Sequence, residues 1–345
     1  MIGRTALTLI VGALGGGLFW YLHMPLPWML GAIIATTALA LFGGGLAVEQ
    51  NLRNFMVAVI GVLLGSTFTP ALLGRVVEWI GSVAVLVLYV PVVIGVTFLY
   101  LRKVARFDAT TAFFGAAPGG LNEMILMGEA MGGDVRSIAL LHSIRIVVTV
   151  FGISFFFRYV LDLAVPAFMP SVAAAPGVID LGILLACALL GIALGQRLKF
   201  PAAALITPMA ISAAVHLLGL TSSQPPSDLV AVAQVVIGAS IGARFVGLPL
   251  RALARTSGHA IVATVLMLGM TGLFALLLST VSRVPTAAAM LSLAPGGVTE
   301  MSLIALALGV DAAFVATMHL CRLFTVLGLS PMLWRVIRKP DSGPT

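Results

Sequence analysis

The stretch APGGLNEMILMGEAMGGDVRSIALLHSIRIVVTV, residues 117–150, recurs without a gap as APGGVTEMSLIALALGVDAAFVATMHLCRLFTVL, residues 294–327. The chain therefore contains two copies of one unit. Each copy carries a helix-breaking proline and glycines, an acidic residue, a histidine and an arginine within apolar sequence. Charged side chains are costly to place in such surroundings, so their presence in both copies requires an explanation. The aligned identical pairs include Pro118 with Pro295, Gly119 with Gly296, Gly120 with Gly297, Glu123 with Glu300, Met124 with Met301, Asp134 with Asp311, His142 with His319 and Arg145 with Arg322.

The composition is that of a membrane protein. Of the 345 residues, 60% are hydrophobic and 9% are charged, and the mean hydropathy is +1.15. Soluble domains carry about 25% charged residues. Runs such as residues 79–101 and 259–281 hold about 20 mostly apolar residues, enough to cross a bilayer core of about 30 Å. We therefore predict an all-α polytopic membrane protein. The segments lack the alternation of apolar and polar residues that a β-barrel requires.

The repeat extends over most of the chain, with six hydrophobic segments in each copy. They lie near residues 5–22, 27–47, 52–68, 79–101, 108–132 and 135–161, and again near residues 178–196, 201–219, 228–246, 258–281, 284–309 and 312–336. We accordingly predict a first membrane repeat over residues 1–161 and a second over residues 178–338. Residues 162–177, rich in Ala and Pro, form the predicted linker, and residues 339–345 the predicted cytoplasmic tail.

The fifth segment of each copy is interrupted near its middle by the sequence APGG. Proline removes a backbone donor and glycine favours non-helical dihedrals, so a continuous helix is improbable there. Each half of about 10 residues reaches only about 15 Å at 1.5 Å per residue. Such a segment either turns back as a re-entrant hairpin or continues as a discontinuous helix, and protein or a water-filled cavity must cover its polar backbone.

The distribution of positive charge favours the hairpins. If Arg102 and Lys103 face the cytoplasm, hairpins bring the second copy into the membrane inverted, with its basic turns at Arg197 and Arg251 also in the cytoplasm. Spanning segments would place those turns outside. We predict two inverted repeats, about ten transmembrane helices plus two re-entrant or broken helices, with both termini cytoplasmic. Inverted repeats with broken helices are a recurring plan of secondary transporters.

The candidate site lies in the half-helices after the breaks and in the helices that follow them. Each half-helix start offers free N–H groups and a positive dipole to an anion, and the following helix carries a histidine and an arginine one turn apart, near mid-membrane. We expect Asp134 and Asp311 to cap helices. The predicted substrate-binding residues are Gly119, Gly120, Asn122, Glu123, His142, Arg145, Gly296, Gly297, Thr299, Glu300, His319 and Arg322.

Two interpretations of the charged residues stay open. In the first, Glu123–Arg145 and Glu300–Arg322 are buried ion pairs that lock each hairpin to its helix. In the second, the two arginines and the half-helix ends hold an organic anion. The two glutamates and the two histidines would then take up and release protons as the site changes its access.

The remaining polar residues point to no further chemistry. The sequence contains no HExxH, GxSxG or GxxxxGK[ST] motif and no Cys/His cluster, so we predict neither an enzyme, nor a cofactor, nor a metal site. Cys187 and Cys321 lie inside apolar segments and are predicted core residues. Arg244, opposite Thr67 in the first copy, breaks the repeat symmetry and is expected near the cytoplasmic surface. The net charge of +7 does not indicate nucleic-acid binding, since the basic residues stand at segment ends.

The duplicated APGG-x-x-EM…G-x-D…H-x-x-R block resembles the AbrB-type bacterial integral membrane protein family, over nearly the whole chain. The labels used in that family imply a transcriptional regulator or an ammonia monooxygenase. The chain has no soluble region large enough for a helix-turn-helix, and no ligand set for a monooxygenase metal centre, so we read any regulatory effect as indirect. The resemblance implies a bacterial inner membrane, and we predict a secondary transporter of a small organic anion with proton coupling in that membrane. The alternatives are an indirect role in gene regulation and, disfavoured, a membrane monooxygenase subunit. The expected partners are a small-molecule substrate and the lipid bilayer, not nucleic acid, and a homodimer stays open.

Overall fold

The computed structural model describes residues 2–74, 78–163, 176–247 and 250–337. Those residues form fifteen α-helices and no strand, which confirms the predicted all-α fold. Residues 164–175 of the predicted linker, and the predicted tail, lie outside the described residues. The helices are α1 (Ile2–Tyr21), α2 (Pro27–Leu41), α3 (Gln50–Gly65), α4 (Pro70–Leu73), α5 (Trp79–Lys103), α6 (Ala109–Ala116), α7 (Leu121–Ala130), α8 (Val135–Phe155), α9 (Val178–Leu198), α10 (Ala203–Leu217), α11 (Ser227–Gly242), α12 (Leu250–Ser282), α13 (Thr286–Leu293), α14 (Val298–Ala307) and α15 (Ala312–Ile337).

Seven of these helices are long and apolar enough to cross a bilayer by length and composition: α1, α5, α8, α9, α11, α12 and α15. Three shorter helices, α2, α3 and α10, stand where the sequence predicts further spans. They contain 15, 16 and 15 residues and therefore reach only about 23 Å. The protein is a polytopic helical membrane protein, and its predicted ten spans correspond to these ten helices.

The duplication is visible in the helix boundaries. Helices α3 and α11 begin and end 177 positions apart, and so do α7 and α14. For α7 and α14 the boundaries agree because the same glycines recur at the same offset, Gly120 with Gly297 before the helix and Gly132 with Gly309 after it.

Repeat-equivalent helices run antiparallel where they meet. In the pair α5 and α12, the Tyr89 hydroxyl lies 3.0 Å from the Thr271 hydroxyl, whereas the Tyr100 hydroxyl, further along α5, lies 3.0 Å from Nδ1 of His259. Residue numbers therefore rise along α5 as they fall along α12. In the pair α3 and α11, the first turn of one helix meets the last turn of the other, since Arg53 Nε donates to Ser240 Oγ at 3.3 Å. The repeats are inverted.

The chain folds into two compact units, and each unit draws on both repeats. Unit 1 contains α1 to α4, α9 to α11, and α14. Unit 2 contains α5 to α7 and α13, while α8, α12 and α15 contribute to both units. The two sequence repeats are therefore not the compact units.

Unit 1 is packed through glycines that let helix backbones approach closely. A Cβ on Gly61 of α3 would lie 2.6 Å from the Leu205 oxygen of α10, and a Cβ on Gly238 of α11 would lie 2.6 Å from the Met29 oxygen of α2. Gly61 and Gly238 are repeat-equivalent, so this is one contact made twice. Each repeat thus packs its third helix on the second helix of the other repeat. Close contacts at small residues are typical of packing between membrane helices.

Candidate functional site

The interrupted segment of the first copy is a re-entrant hairpin. The start of α6 lies beside the end of α7, because Thr111 Oγ1 accepts a hydrogen bond of 2.8 Å from the Asp134 N–H. Thr110 Oγ1 also donates to the Met131 oxygen at 3.4 Å. A discontinuous helix would hold these residues at opposite ends. Between the two halves, residues 117–120 form the tip of the hairpin.

Short polar side chains fix the ends of this hairpin. The Asp108 carboxylate accepts a hydrogen bond of 2.8 Å from the Thr111 N–H at the start of α6. At the start of α8, the Asp134 carboxylate accepts from the Arg136 N–H at 3.1 Å and from the Ser137 hydroxyl at 2.6 Å. These are the bonds of helix N-caps. Asp311 makes the corresponding bond in the second copy, 2.9 Å from the Phe314 N–H.

The guanidinium group of Arg145 binds the tip of the hairpin through backbone carbonyls. Its Nη1 donates to the Ala117 oxygen at 2.9 Å, and its Nη2 donates to the Gly119 oxygen at 3.1 Å. The break leaves these carbonyls without helical partners, and Arg145 satisfies both. The interpretation in which Glu123 and Arg145 form a buried ion pair is therefore wrong. Both Nη atoms of Arg145 donate to backbone carbonyls instead.

The histidine one turn earlier binds the same half-helix. Nε2 of His142 lies 2.8 Å from the Phe114 oxygen near the end of α6, and the side chain is fully buried. A carbonyl oxygen can only accept, so Nε2 carries the proton in this bond. His142 and Arg145 together attach α8 to the hairpin along its length.

The second copy repeats this arrangement. Nε2 of His319 lies 2.9 Å from the Leu291 oxygen, and Arg322 donates to the Ala294 oxygen through Nη1. Nη2 of Arg322 donates to the Gly296 oxygen at 2.7 Å. The bonds of Arg322 thus go to carbonyls rather than to the expected carboxylate of Glu300. Because the partner spacing is the same in both copies, this attachment is a property of the duplicated unit.

The two arginines are buried positive charges that lie near each other. Arg145 is 3% exposed and Arg322 is 5% exposed. Their guanidinium groups are close enough to repel one another, and Tyr89 lies within electrostatic range of both. In each, Nε is buried and has no hydrogen-bond partner. Neither pairs with a carboxylate in the part of the chain that the structure describes, so unit 2 holds two uncompensated charges.

The start of α7 carries the first predicted acidic residue. Glu123 is half-buried and Asn122 is exposed. The Glu123 carboxylate folds back over Gly120, because a Cβ added at Gly120 would overlap its Oε2. The N–H groups of Gly120, Leu121 and Asn122 donate to no backbone carbonyl. The carboxylate therefore lies at the positive end of the α7 dipole, where anions are stabilised.

The second predicted acidic residue has different neighbours. Glu300, in the first turn of α14, is 8% exposed and lies within electrostatic range of Arg53 and Arg244. Thr299 beside it is half-buried. Arg244 has a buried Nη1 and lies within electrostatic range of both Arg53 and Glu300. Its expected place near the cytoplasmic surface stays a prediction.

The sequence analysis did not identify Arg53 as a site residue, although the repeat offers one signal that points to it. Arg53 stands opposite Val230 at the repeat offset, just as Arg244 stands opposite Thr67. Both arginines therefore interrupt the repeat within apolar segments. In the described residues, no group of three or more His, Cys, Asp or Glu side chains could hold a metal ion.

Comparison with known proteins gives a consistent family. A family model described as "Transition state regulatory protein AbrB" matches residues 28–338. The chain is 25% identical to a protein of Escherichia coli (strain K12) named "Putative regulator AbrB", over 92% of each chain. It is also 24% identical to "Uncharacterized protein YhjN" of Bacillus subtilis (strain 168), over 95% of this chain and 91% of that protein.

Proposed function

The chain belongs to the AbrB family, and we propose that it is a secondary transporter of a small organic anion, coupled to protons. It acts in a bacterial inner membrane with both termini in the cytoplasm, and it carries out no chemical conversion. Its substrate is a small molecule rather than a nucleic acid.

The proposal rests mainly on the two buried guanidinium groups of unit 2. Arg145 and Arg322 hold the hairpin tips through carbonyls and lie within electrostatic range of one another. Buried charges without a counter-charge are costly. A bound anion would offset this cost, so the two guanidinium groups form a favourable receptor for negative charge.

The architecture supports transport. Inverted repeats with broken helices that meet inside the membrane are found in many secondary transporters, whose half-helix ends bind the ionic groups of the substrate. Here each break is followed by a half-helix with an acidic residue in its first turn, Glu123 or Glu300. We assign proton coupling to these two carboxylates. His142 and His319 donate to carbonyls through Nε2 and serve chiefly as attachment points.

The name of the Escherichia coli relative favours one other function. A "Putative regulator AbrB" is compatible with a membrane sensor that binds the same anion and influences gene expression without moving its ligand. A sensor and a transporter share a binding site, and uptake distinguishes them.

The test is uptake of radiolabelled carboxylates into proteoliposomes under an inwardly directed proton gradient. We expect Glu123→Gln to abolish the stimulation by the gradient, because the amide cannot carry the proton. Glu129→Gln is the matched control, since Glu129 lies exposed at the other end of α7 and aligns with Leu306. Uptake no greater than in empty liposomes, together with binding of the same carboxylates, would favour the sensor.

A further inference from the structure

Unit 1 contains a cluster of charged residues of its own, separate from the hairpin tips. Arg53 lies in the first turn of α3, Arg244 lies in the 3₁₀ turn that follows α11, and Glu300 lies in the first turn of α14. Helix α3 contacts both α11 and α14. Each of the three side chains lies within electrostatic range of the other two, although they are far apart in the chain.

A hydrogen-bonded serine holds one of the arginines. Arg53 Nε donates to Ser240 Oγ at 3.3 Å, and the same hydroxyl donates to the Ile237 oxygen at 2.7 Å. Ser240 precedes Arg244 by four residues, so both lie on one face of the end of α11. The Nε donor of Arg53 is therefore held by Ser240, while its two terminal nitrogens remain available to a ligand.

The cluster has an excess of positive charge. Two guanidinium groups face one carboxylate within electrostatic range, and neither arginine forms a direct ion pair with Glu300. Arg244 Nη1 is buried without any hydrogen-bond partner. A buried donor that lacks a partner loses its interaction with water and receives nothing in return. The cluster thus has one uncompensated positive charge and a donor that points at no acceptor.

The cluster does not belong to the duplicated plan. At the repeat offset, Arg53 corresponds to Val230 and Arg244 to Thr67. Symmetry of the fold therefore does not require the two arginines. Their replacement by neutral residues at the equivalent positions also shows that the helix packing itself can be achieved without them.

We propose that Arg53 and Arg244 form a binding site for one singly charged oxyanion, and that Glu300 acts as an internal counter-charge within it. Guanidinium groups suit such a ligand because their planar N–H donors match the oxygens of a carboxylate or a phosphodiester. The ligand is a free carboxylate or the headgroup of an anionic lipid, which share this chemistry. The inference goes beyond the proposed function, because it adds a second anion site, and it rests on that function only for the class of ligand.

The site can be tested by calorimetric titration of propionate into the full-length protein in nanodiscs of phosphatidylcholine. Because Arg145 and Arg322 are proposed to bind a carboxylate too, the wild type should show two binding events. We expect Arg53→Gln and Arg244→Gln to weaken one of them by about tenfold or more, as loss of a charged hydrogen bond does, and to leave the other unchanged. Arg197→Gln is the matched control, since Arg197 is exposed at the end of α9, and its affinity should equal that of the wild type. Arg244→Lys, which keeps the charge but loses the planar donors, should fall between the two.

Glu300→Gln separates a ligand site from a purely structural cluster. Removal of the internal negative charge raises the net charge of the cluster, so propionate should bind several-fold more tightly. A structural cluster would lose thermal stability in this variant and would gain no affinity. If an anionic lipid occupies the site, propionate should bind the wild type more weakly in nanodiscs that contain phosphatidylglycerol. Propionate binding to Arg244→Gln should then be the same in both kinds of nanodisc.

The proposal is overturned if propionate binds Arg53→Gln and Arg244→Gln as it binds the wild type. It is also overturned if propionate shows no binding in phosphatidylcholine and phosphatidylglycerol does not bind preferentially to the wild type over Arg244→Gln. Binding is measured here without transport, so absence of uptake by the wild-type protein would refute the proposed transport and leave this site intact.

Discussion

Arginine suits the hairpin tip because one side chain must satisfy two carbonyls. The Ala117 and Gly119 oxygens accept from the two Nη atoms of Arg145, which the guanidinium group holds at a fixed spacing. A lysine ammonium at the same place is a point donor and would reach one oxygen well. The fixed spacing of the two Nη donors therefore contributes to holding the tip, in addition to the positive charge.

We predict that Arg145→Ala destabilises the protein by about 3 kcal/mol, because two buried carbonyls lose their only charged donor. The measurement is thermal unfolding in nanodiscs, compared with Arg136→Ala. Arg136 lies on the same helix but is exposed, so its loss should change the unfolding temperature little. Equal unfolding temperatures for the two variants would mean that the hydrogen bonds of Arg145 are not needed to hold the tip.

The two glycines of the tip differ in the neighbours that an added Cβ atom would meet. A Cβ on Gly120 would meet the flexible carboxylate of Glu123, whereas a Cβ on Gly119 would lie 3.0 Å from Val326 Cγ1 and 2.9 Å from Met124 Cε. A carboxylate can swing away at little cost, but a branched apolar side chain in a packed interface moves less easily.

We therefore predict that Gly120→Ala keeps the stability of the wild type within about 1 kcal/mol and yet reduces uptake, since it displaces the Glu123 carboxylate from the end of α7. Gly119→Ala should lower the unfolding temperature as well. Gly328→Ala serves as the control, because a Cβ there meets nothing within 4 Å. Wild-type uptake by Gly120→Ala would remove Glu123 from the transport mechanism.

At the scale of the element, the hairpin was predictable and its attachment was not. The recurring Pro-Gly-Gly predicted the break, and Gly132 and Gly309 end α7 and α14 with φ of +81° and +66°, a conformation that glycine adopts readily. The acceptors of Arg145 could not be predicted, because backbone carbonyls are common to all residues. An arginine in an apolar segment suggested a carboxylate partner, and Glu123 was the nearest candidate.

The hairpin predicts that the two ends of the segment face the same side of the membrane. We expect Lys103→Cys and Arg136→Cys, in a background without Cys187 and Cys321, to react with an impermeant maleimide from one face only. Glu78→Cys, at the other end of α5, should react from the opposite face. Reaction of Lys103→Cys and Arg136→Cys from opposite faces would show that the segment spans the membrane as a discontinuous helix.

For the whole molecule, the inverted relation of the repeats decides which residues meet. It brings the first turn of α3 to the last turn of α11, and thereby brings Arg53 to Ser240 and to the turn that carries Arg244. No local pattern predicts this cluster, because its members come from helices whose neighbours depend on the arrangement of both repeats. The offset between the copies predicted the helix boundaries, whereas the division into two units arose from contacts between the copies.

The same inverted relation predicts the orientation of unit 1 in the membrane. Helices α1 and α9 are repeat-equivalent, so the start of α1 and the end of α9 face one side, which the positive-inside rule assigns to the cytoplasm. We expect Arg4→Cys and Arg197→Cys, in the background without native cysteines, to be labelled by an impermeant maleimide in inverted vesicles only. Tyr21→Cys and Val178→Cys, at the opposite ends of the two helices and both exposed, should be labelled in intact spheroplasts.

Labelling of Arg4→Cys and Arg197→Cys on opposite faces would make the repeats parallel. The two breaks would then enter the membrane from the same side, and the argument for transport from inverted repeats would lose its structural basis.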